Sequence, residues 1–150
     1  MKLSVIKFGR PAYQEYETLV ARYVKRLTGW YDLAREEIRI SQNKQELQAM
    51  KRILAPDPGR ITIALDERGK VWSSPQLAEN LKVWQEDPAI KQLTFIIGGP
   101  YGLSEELKEK SDVHWSLSKA VYTSDLAWLV VWEQLYRAGC INRGIAYHHE

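Results

Sequence analysis

Cysteine is almost absent from this chain, because Cys140 is the only one in 150 residues. A single thiol cannot form an internal disulfide, which excludes the disulfide framework of many small secreted domains. No apolar run approaches the roughly 20 residues that a membrane-spanning helix needs. The first ten residues, MKLSVIKFGR, hold too short an apolar segment for a signal peptide. We therefore expect a cytoplasmic protein with no membrane partner.

A strong excess of charge is lacking too. The formal net charge of +2 is too small to indicate nucleic-acid binding by itself. His148 and His149 are adjacent and would chelate a metal poorly without further ligands, and no cysteine cluster could help them. No Ser/His/Asp or Cys/His set for nucleophilic catalysis is recognisable. The sequence therefore predicts no metal site and offers no candidate for hydrolysis.

The apolar pattern switches repeatedly between the period of a strand and the period of a helix. Strands are predicted at residues 2–8, 33–40, 60–66, 93–99 and 113–118, and helices at residues 16–27, 44–54, 74–85, just after 104, and at 124–138. Strands that alternate with helices form a parallel or mostly parallel sheet with helices on both faces. We expect a single α/β domain over residues 1–150, with ligands at the carboxyl ends of the strands.

Local signals mark the ends of several helices. Ser74 is expected to cap a helix whose first residue is Pro75. Ser104 can cap a short helix that begins with two glutamates. The tail from Gly139 onward is expected to be irregular, and His114 is interpreted as structural.

The stretch FIIGGPYGLSEE, residues 95–106, places three glycines and a proline directly after a buried strand. Its glycine spacing matches neither the dinucleotide fingerprint nor the P-loop. Two interpretations stay open. The stretch is either a tight turn between a strand and a helix, or a loop whose backbone approaches a ligand closely.

The helix at residues 124–138 opens with the uninterrupted apolar run LAWLVVW. A helix that packs on one sheet needs only a single apolar stripe, so this run predicts burial on more than one side. The second cover is either another copy of the chain in a two-fold dimer, or a loop or neighbouring helix.

Five motifs in one order and spacing carry a resemblance to a known family. They are LDERGKVWSSPQLA, FIIGGPYGLS, WSLSKAVY, EQLYRA and the closing YHHE. The chain resembles the SPOUT-class ribosomal RNA large subunit methyltransferase H family over essentially its whole length. The resemblance implies an α/β fold with a C-terminal trefoil knot, a homodimer, and a bound S-adenosylmethionine. The implied cofactor contacts are Leu65, Gly98, Leu117, Ser118, Lys119, Ala120, Val121 and Tyr122.

The reaction that the resemblance implies is methylation of N3 of a pseudouridine in 23S ribosomal RNA, without a metal. The resemblance also implies that the tail reaches the site of the partner protomer. There we expect His148 to orient the substrate or handle the proton, with Tyr147 and Glu150 near it.

The sequence also departs from the family pattern at five positions. Many members have a glutamate at position 101, proline and histidine at 123 and 124, an arginine at 128 and a proline at 146. This chain has Tyr101, Thr123, Ser124, Trp128 and Ala146 there. Two alternatives therefore stay open. One is a diverged SPOUT protein that binds cofactor or ribosome and methylates another RNA, or nothing. The other is a pure dimerisation module.

Overall fold

Five parallel strands form the centre of the fold, in the order β2-β1-β4-β3-β5. The structure is a computed structural model that describes residues 1–40 and 44–149, with the backbone alone at 44–47. The strands are β1 (Lys2–Phe8), β2 (Asp32–Ile38), β3 (Arg60–Val71), β4 (Gln92–Ile97) and β5 (Val113–Ser116). The helices are α1 (Gln14–Leu27), α2 (Lys44–Leu54), α3 (Ser74–Glu86), α4 (Glu105–Glu109) and α5 (Ser124–Asn142).

Helices cover both faces of this sheet, as the alternating pattern predicts. On one face α1, α3 and α5 bury a large apolar cluster, and on the other face α2 and α4 bury a smaller one. Strand β1 lies between β2 and β4, and its side chains alternate between the two clusters. Leu3 and Val5 belong to the larger cluster, whereas Ile6 and Phe8 belong to the smaller one. The predicted α/β fold class is confirmed, with every described strand pair parallel.

The N-cap of α3 is Ser73, so the prediction of Ser74 was wrong by one residue. The Ser73 hydroxyl accepts a hydrogen bond from the Gln76 N–H at 3.3 Å. The Gln76 side chain accepts one in return from the Ser73 N–H at 2.9 Å. This reciprocal capping box needs a glutamine or glutamate three residues after the cap, which selects the first of the two serines.

Two elements are longer than the sequence indicates. Strand β3 continues to Val71 because, after an irregularity between Leu65 and Lys70, it pairs again with β5. Helix α5 continues through Gly139, which the sequence placed in the irregular tail. A Cβ at Gly139 would lie 3.0 Å from the Trp30 ring, so this glycine makes room for an aromatic side chain within the helix.

Helix α5 is covered by neighbouring helices of the same chain. It packs between α1 and α3, and Trp128, Trp132 and Leu135 are completely buried. The burial of these residues is therefore explained without a second copy of the chain. Leu126, Leu129 and Val130 stay only half-buried and form a partly exposed stripe on the helix.

A buried ion pair joins the end of β1 to the first turn of α5. The Lys7 ammonium lies 2.9 Å from Asp125 Oδ1, and the Lys7 side chain is 1% exposed. The same ammonium donates to the Gly9 carbonyl at 3.1 Å, while Asp125 Oδ2 accepts from the Ala12 N–H at 2.8 Å. The pair thus fixes the segment between β1 and α1 against the start of α5.

We predict that Asp125→Asn lowers the free energy of unfolding by about 3 kcal/mol, because it leaves a buried ammonium without its counter-charge. The double variant Lys7→Met/Asp125→Asn should be less destabilised than Asp125→Asn alone, since it removes the orphaned charge. Urea unfolding followed by circular dichroism measures both. The prediction fails if the two losses are equal or if the double variant is the weaker protein.

Candidate active site

A cavity of about 720 Å³ is surrounded by the irregular part of β3 and by the segments that follow β4 and β5. Because the strands are parallel, their carboxyl ends lie at one edge of the sheet, and the cavity lies at that edge. Its wall comprises residues 65–68, 97–103, 115–118 and 120–125, together with Lys108 and Ala127. The edge and the loops agree with the position that the sequence predicts for a ligand.

The glycine stretch after β4 forms a tight turn that also lines the cavity. The Gly102 N–H donates to the Gly99 carbonyl at 2.9 Å, and Gly102 has a φ of +77° that side chains rarely adopt. A Cβ on Gly98 would overlap the Gly102 backbone and lie 2.6 Å from the Leu103 nitrogen. The interpretation as a tight turn is therefore confirmed. The stretch also lines the cavity, and its close approach to a ligand stays a prediction.

The loop from Leu117 to Tyr122 is held by its own serines. The Ser116 hydroxyl donates to the Ser118 carbonyl at 2.7 Å. The Ser118 hydroxyl donates to the Ala120 carbonyl at 3.0 Å and accepts from the Ala120 N–H at 2.9 Å. Thr123 then caps α5 through its hydroxyl. These bonds give the loop a defined shape beside the cavity.

The structure brings most of the predicted cofactor residues together. Those that line the cavity are Leu65, Gly98, Leu117, Ser118, Ala120, Val121 and Tyr122. Lys119 does not line it, and its side chain is exposed to solvent. Their binding role stays a prediction, since lining a cavity does not establish contact with a ligand.

The sequence analysis did not identify the carboxylates of the site. Asp66 is buried, lines the cavity and accepts a hydrogen bond from the Arg68 N–H at 3.1 Å. The sequence did contain a signal for Asp66, because it is a polar residue directly after the buried run RITIAL. Asp125 also lines the cavity, but nothing in the sequence indicates its pairing with Lys7 across more than a hundred residues.

The predicted catalytic residues of the tail lie away from this cavity. Tyr147 donates to Glu133 Oε1 at 3.1 Å, and the Arg137 guanidinium lies 4.8 Å from the centre of the Tyr147 ring. His148 Nδ1 lies 3.2 Å from Arg137 Nη1. Neither Tyr147 nor His148 lines the cavity of its own chain, and Glu150 lies outside the described residues.

The chemistry of these contacts limits what the tail can do. Arginine only donates hydrogen bonds, so the contact with Arg137 Nη1 requires His148 Nδ1 to accept. Burial raises the pKa of Tyr147 well above its ordinary value, and hydrogen bonding to Tyr23 and the charge of Glu133 raise it further. Tyr147 is therefore a neutral phenol near pH 7 and cannot serve as a general base.

Trp128 stands where the family pattern has an arginine, and it is completely buried. The Arg35 guanidinium lies 5.4 Å from the centre of its ring. The position thus belongs to the core between helices and sheet, and Trp128 presents no surface to a ligand.

The geometry has the form of a small-molecule site built from the loops of a parallel sheet. A profile of the family described as "Predicted SPOUT methyltransferase" matches residues 1–148. The chain belongs to the SPOUT methyltransferase family. The cavity is therefore the candidate active site of a SPOUT methyltransferase.

Two full-length relatives of this SPOUT methyltransferase carry the same name. It is 36% identical to the ribosomal RNA large subunit methyltransferase H of Maridesulfovibrio salexigens, over 99% of this chain and 98% of the relative. It is 35% identical to the protein of the same name from Zymomonas mobilis, over 100% of this chain and 99% of the relative.

Solved structures with low sequence identity share the fold of this SPOUT methyltransferase. A probable methylase family protein from Haemophilus influenzae matches with a TM-score of 0.58 and 15% identity, over 99% of this chain and 70% of that one. A probable methyltransferase from Bordetella pertussis matches with a TM-score of 0.56 and 12% identity, over 91% of this chain and 95% of that one. The trefoil knot that the sequence resemblance implies stays a prediction.

Among residues 1–40 and 44–149, no group of three or more His, Cys, Asp or Glu side chains is arranged to hold a metal ion. No helix in that part of the chain is long and apolar enough to cross a membrane.

We predict that Gly98→Ala lowers the free energy of unfolding by about 1–3 kcal/mol, because the new methyl group collides with backbone that cannot move aside easily. Gly59→Ala is the matched control. Its Cβ would meet its nearest neighbours at an ordinary 3.5 Å, so its effect should stay within about 1 kcal/mol. Chemical unfolding measures the free energy of unfolding of both variants. Equal values would contradict the close approach of backbone to Gly98.

Proposed function

We propose that this SPOUT methyltransferase uses S-adenosylmethionine to methylate N3 of a pseudouridine in 23S ribosomal RNA, and that it acts as a homodimer in the cytoplasm. The observation that carries the proposal is the cavity formed by the β3, β4 and β5 loops in a chain of this family. Its full-length relatives are named as methyltransferases of large-subunit ribosomal RNA.

The residues of the cavity fit a cofactor of this kind. The volume of about 720 Å³ falls within the range of small-molecule sites. Leu65, Leu117 and Val121 supply apolar surface for a planar base, and the Asp66 carboxylate supplies a hydrogen-bond acceptor. Gly98 also lines the cavity, and its missing Cβ allows the backbone of Gly102 and Leu103 to approach it closely. In the proposal these residues hold the methyl donor, mostly through backbone groups.

When bound, S-adenosylmethionine supplies a methyl group that is already activated by its positively charged sulfur. The work left to the protein is to align the acceptor nitrogen and to help remove its proton. His148 is suited to the first task, since the contact between its Nδ1 and Arg137 fixes the orientation of its ring. Tyr147 supports that ring indirectly, through Arg137 and Glu133.

The position of the tail supports the proposed dimer. Arg137 holds His148 about 18 Å along α5 from Asp125, at 1.5 Å per residue. The tail is therefore far from the cavity of its own chain and would serve the cavity of a partner. The partly exposed stripe of Leu126, Leu129 and Val130 provides apolar surface for such a partner.

A diverged activity is the second candidate, and one observation favours it. Tyr101 is fully exposed at the mouth of the cavity, at a position where many relatives have a glutamate. A different side chain at that point can change which RNA is accepted while the methyl-donor site stays intact.

The proposed function is tested with labelled S-adenosylmethionine and ribosomes from a strain that lacks this modification. We expect the label in 23S ribosomal RNA, at N3 of a pseudouridine, by digestion and mass spectrometry. Calorimetry of cofactor binding is the control. Binding without transfer to that position would favour the diverged activity, and no binding would overturn both candidates.

Deletion of residues 147–150 should reduce methyl transfer by about 100-fold or more, because the tail orients the acceptor. Cofactor binding and the dimer should persist, since neither the cavity nor the α5 stripe includes these residues. Two single substitutions, His148→Ala and His149→Ala, show which histidine is responsible. We expect only His148→Ala to reduce methyl transfer. Full activity of the truncated protein, measured beside light scattering of its mass, would rule out the role of the tail.

A further inference from the structure

Tyr101 is presented to solvent by a rigid turn. It occupies the third position of the turn Gly99–Gly102, which is closed by the hydrogen bond from the Gly102 N–H to the Gly99 carbonyl at 2.9 Å. Pro100 restricts the backbone at the second position of the turn. The Tyr101 side chain is fully exposed and makes no ring contact with another described aromatic residue. A single exposed aromatic ring is ordinary, so its neighbours must decide whether it has a role.

A groove lined with arginines lies at the same edge of the sheet. It has a volume of about 570 Å³ and follows the carboxyl ends of β1 and β2. Its charged side chains are Arg10, Glu36, Glu37, Arg39 and Arg52. Glu36 pairs with Arg52 at 2.5 Å, and Glu37 pairs with Arg35 at 3.4 Å.

Arg10 and Arg39 are the cations of the groove that remain available to a ligand. Both side chains are exposed, and neither forms an ion pair with a carboxylate in the described part of the chain. Glu36 pairs with Arg52, whereas Glu37 shares Arg35 with Glu17 and also attracts Arg10 electrostatically. The groove still has three arginines against two glutamates, and it presents the exposed forks of Arg10 and Arg39 to an anion. Arginine forks match the geometry of phosphate oxygens.

The turn that carries Tyr101 separates this groove from the cavity. A Cβ on Gly99 would overlap Ile40 Cδ1, and a Cβ on Gly9 would lie 3.4 Å from the same atom. Ile40 therefore packs on both glycines and joins the β1 and β2 ends to the turn. Cavity, Tyr101 and groove follow one another along a single edge of the sheet, and we name this series the rim.

We propose that the rim binds an unpaired segment of RNA, with the Tyr101 ring stacked on a base and Arg10 and Arg39 on backbone phosphates. This inference rests on the proposed function and deepens it, because it assigns the RNA-binding surface. The base to be methylated would enter the cavity on the other side of the turn.

The chemistry of the rim favours unpaired RNA over a duplex. A base whose ring nitrogen is methylated must leave its stack to reach a cavity. Its neighbours then expose their faces, on which aromatic side chains stack, whereas a duplex hides those faces. The rim places an aromatic ring and two arginines beside the cavity. The ring can stack on an unpaired base and the arginines can bind phosphates, in the order in which a splayed RNA strand would present them.

The test measures binding of a fluorescein-labelled 12-nucleotide RNA without secondary structure, and of the same strand annealed to its complement. Fluorescence anisotropy gives Kd at several salt concentrations. Tyr101→Ala should weaken binding of the single strand about 10-fold, while Tyr101→Phe, which keeps the ring, should bind within about twofold of the wild type. The duplex should bind more weakly than the single strand and should not respond to Tyr101→Ala.

The arginines are tested through the salt dependence. Arg10→Gln/Arg39→Gln should lower the slope of log Kd against log salt by about 1.4, at about 0.7 for each lost phosphate contact. Lys82→Gln is the matched control. It removes an exposed cation from α3, which lies on the other face of the sheet from α2, and the slope should not change.

Three results of the binding and mass measurements would overturn the inference. They are no binding of the single strand by the wild type, equal binding by Tyr101→Ala, and a change of oligomeric mass in Tyr101→Ala by light scattering. The last result would place Tyr101 at a contact between copies. Methyl transfer by the wild type with no effect of Tyr101→Ala would leave the proposed function intact and remove the rim alone. Tyr101-dependent RNA binding without any methyl transfer would keep the rim as an RNA-binding surface and contradict the proposed function.

Discussion

The common direction of the five strands is the constraint on which the rest of the structure depends. It brings every strand's carboxyl end to one edge of the sheet, so loops far apart in sequence become neighbours. The glycine turn, the serine-held loop and the arginine groove all lie at that edge for this reason. The buried Lys7–Asp125 pair then joins the first strand to the last helix at the same place.

Much of this architecture is predictable from the sequence, because its determinants are local. Alternating apolar periods predict each strand and helix, and the buried runs of β3 and β4 predict a covered parallel sheet. The failures are where a partner decides the outcome. Strand β3 continues only because β5 lies beside it, and Gly139 stays helical because Trp30 packs against it. The capping box at Ser73 was legible, since Gln76 stands three residues later.

The residues of the site also divide into those that local sequence predicts and those that depend on a distant partner. The glycine turn and the Leu117–Tyr122 loop are contiguous stretches, so motifs identify them and the fold places them on the cavity. Asp125 escaped prediction because its function depends on Lys7, a residue from the other end of the chain. For the tail, the sequence motif can be recognised, but its position in the structure cannot be predicted from the sequence. Contacts with Glu133 and Arg137 hold it on α5, far from its own cavity.

The hydrogen bond from the Ala12 N–H to Asp125 closes a loop of 113 residues, and this length has a consequence for biosynthesis. Strands and the turns between them can assemble while the chain is still being made, because their contacts are nearer in sequence. The cavity cannot close until α5 has left the ribosome and docked against β1. Because Ser124, Asp125 and Ala127 line the cavity, the ligand site is complete only when the start of α5 has been made and has packed against β1.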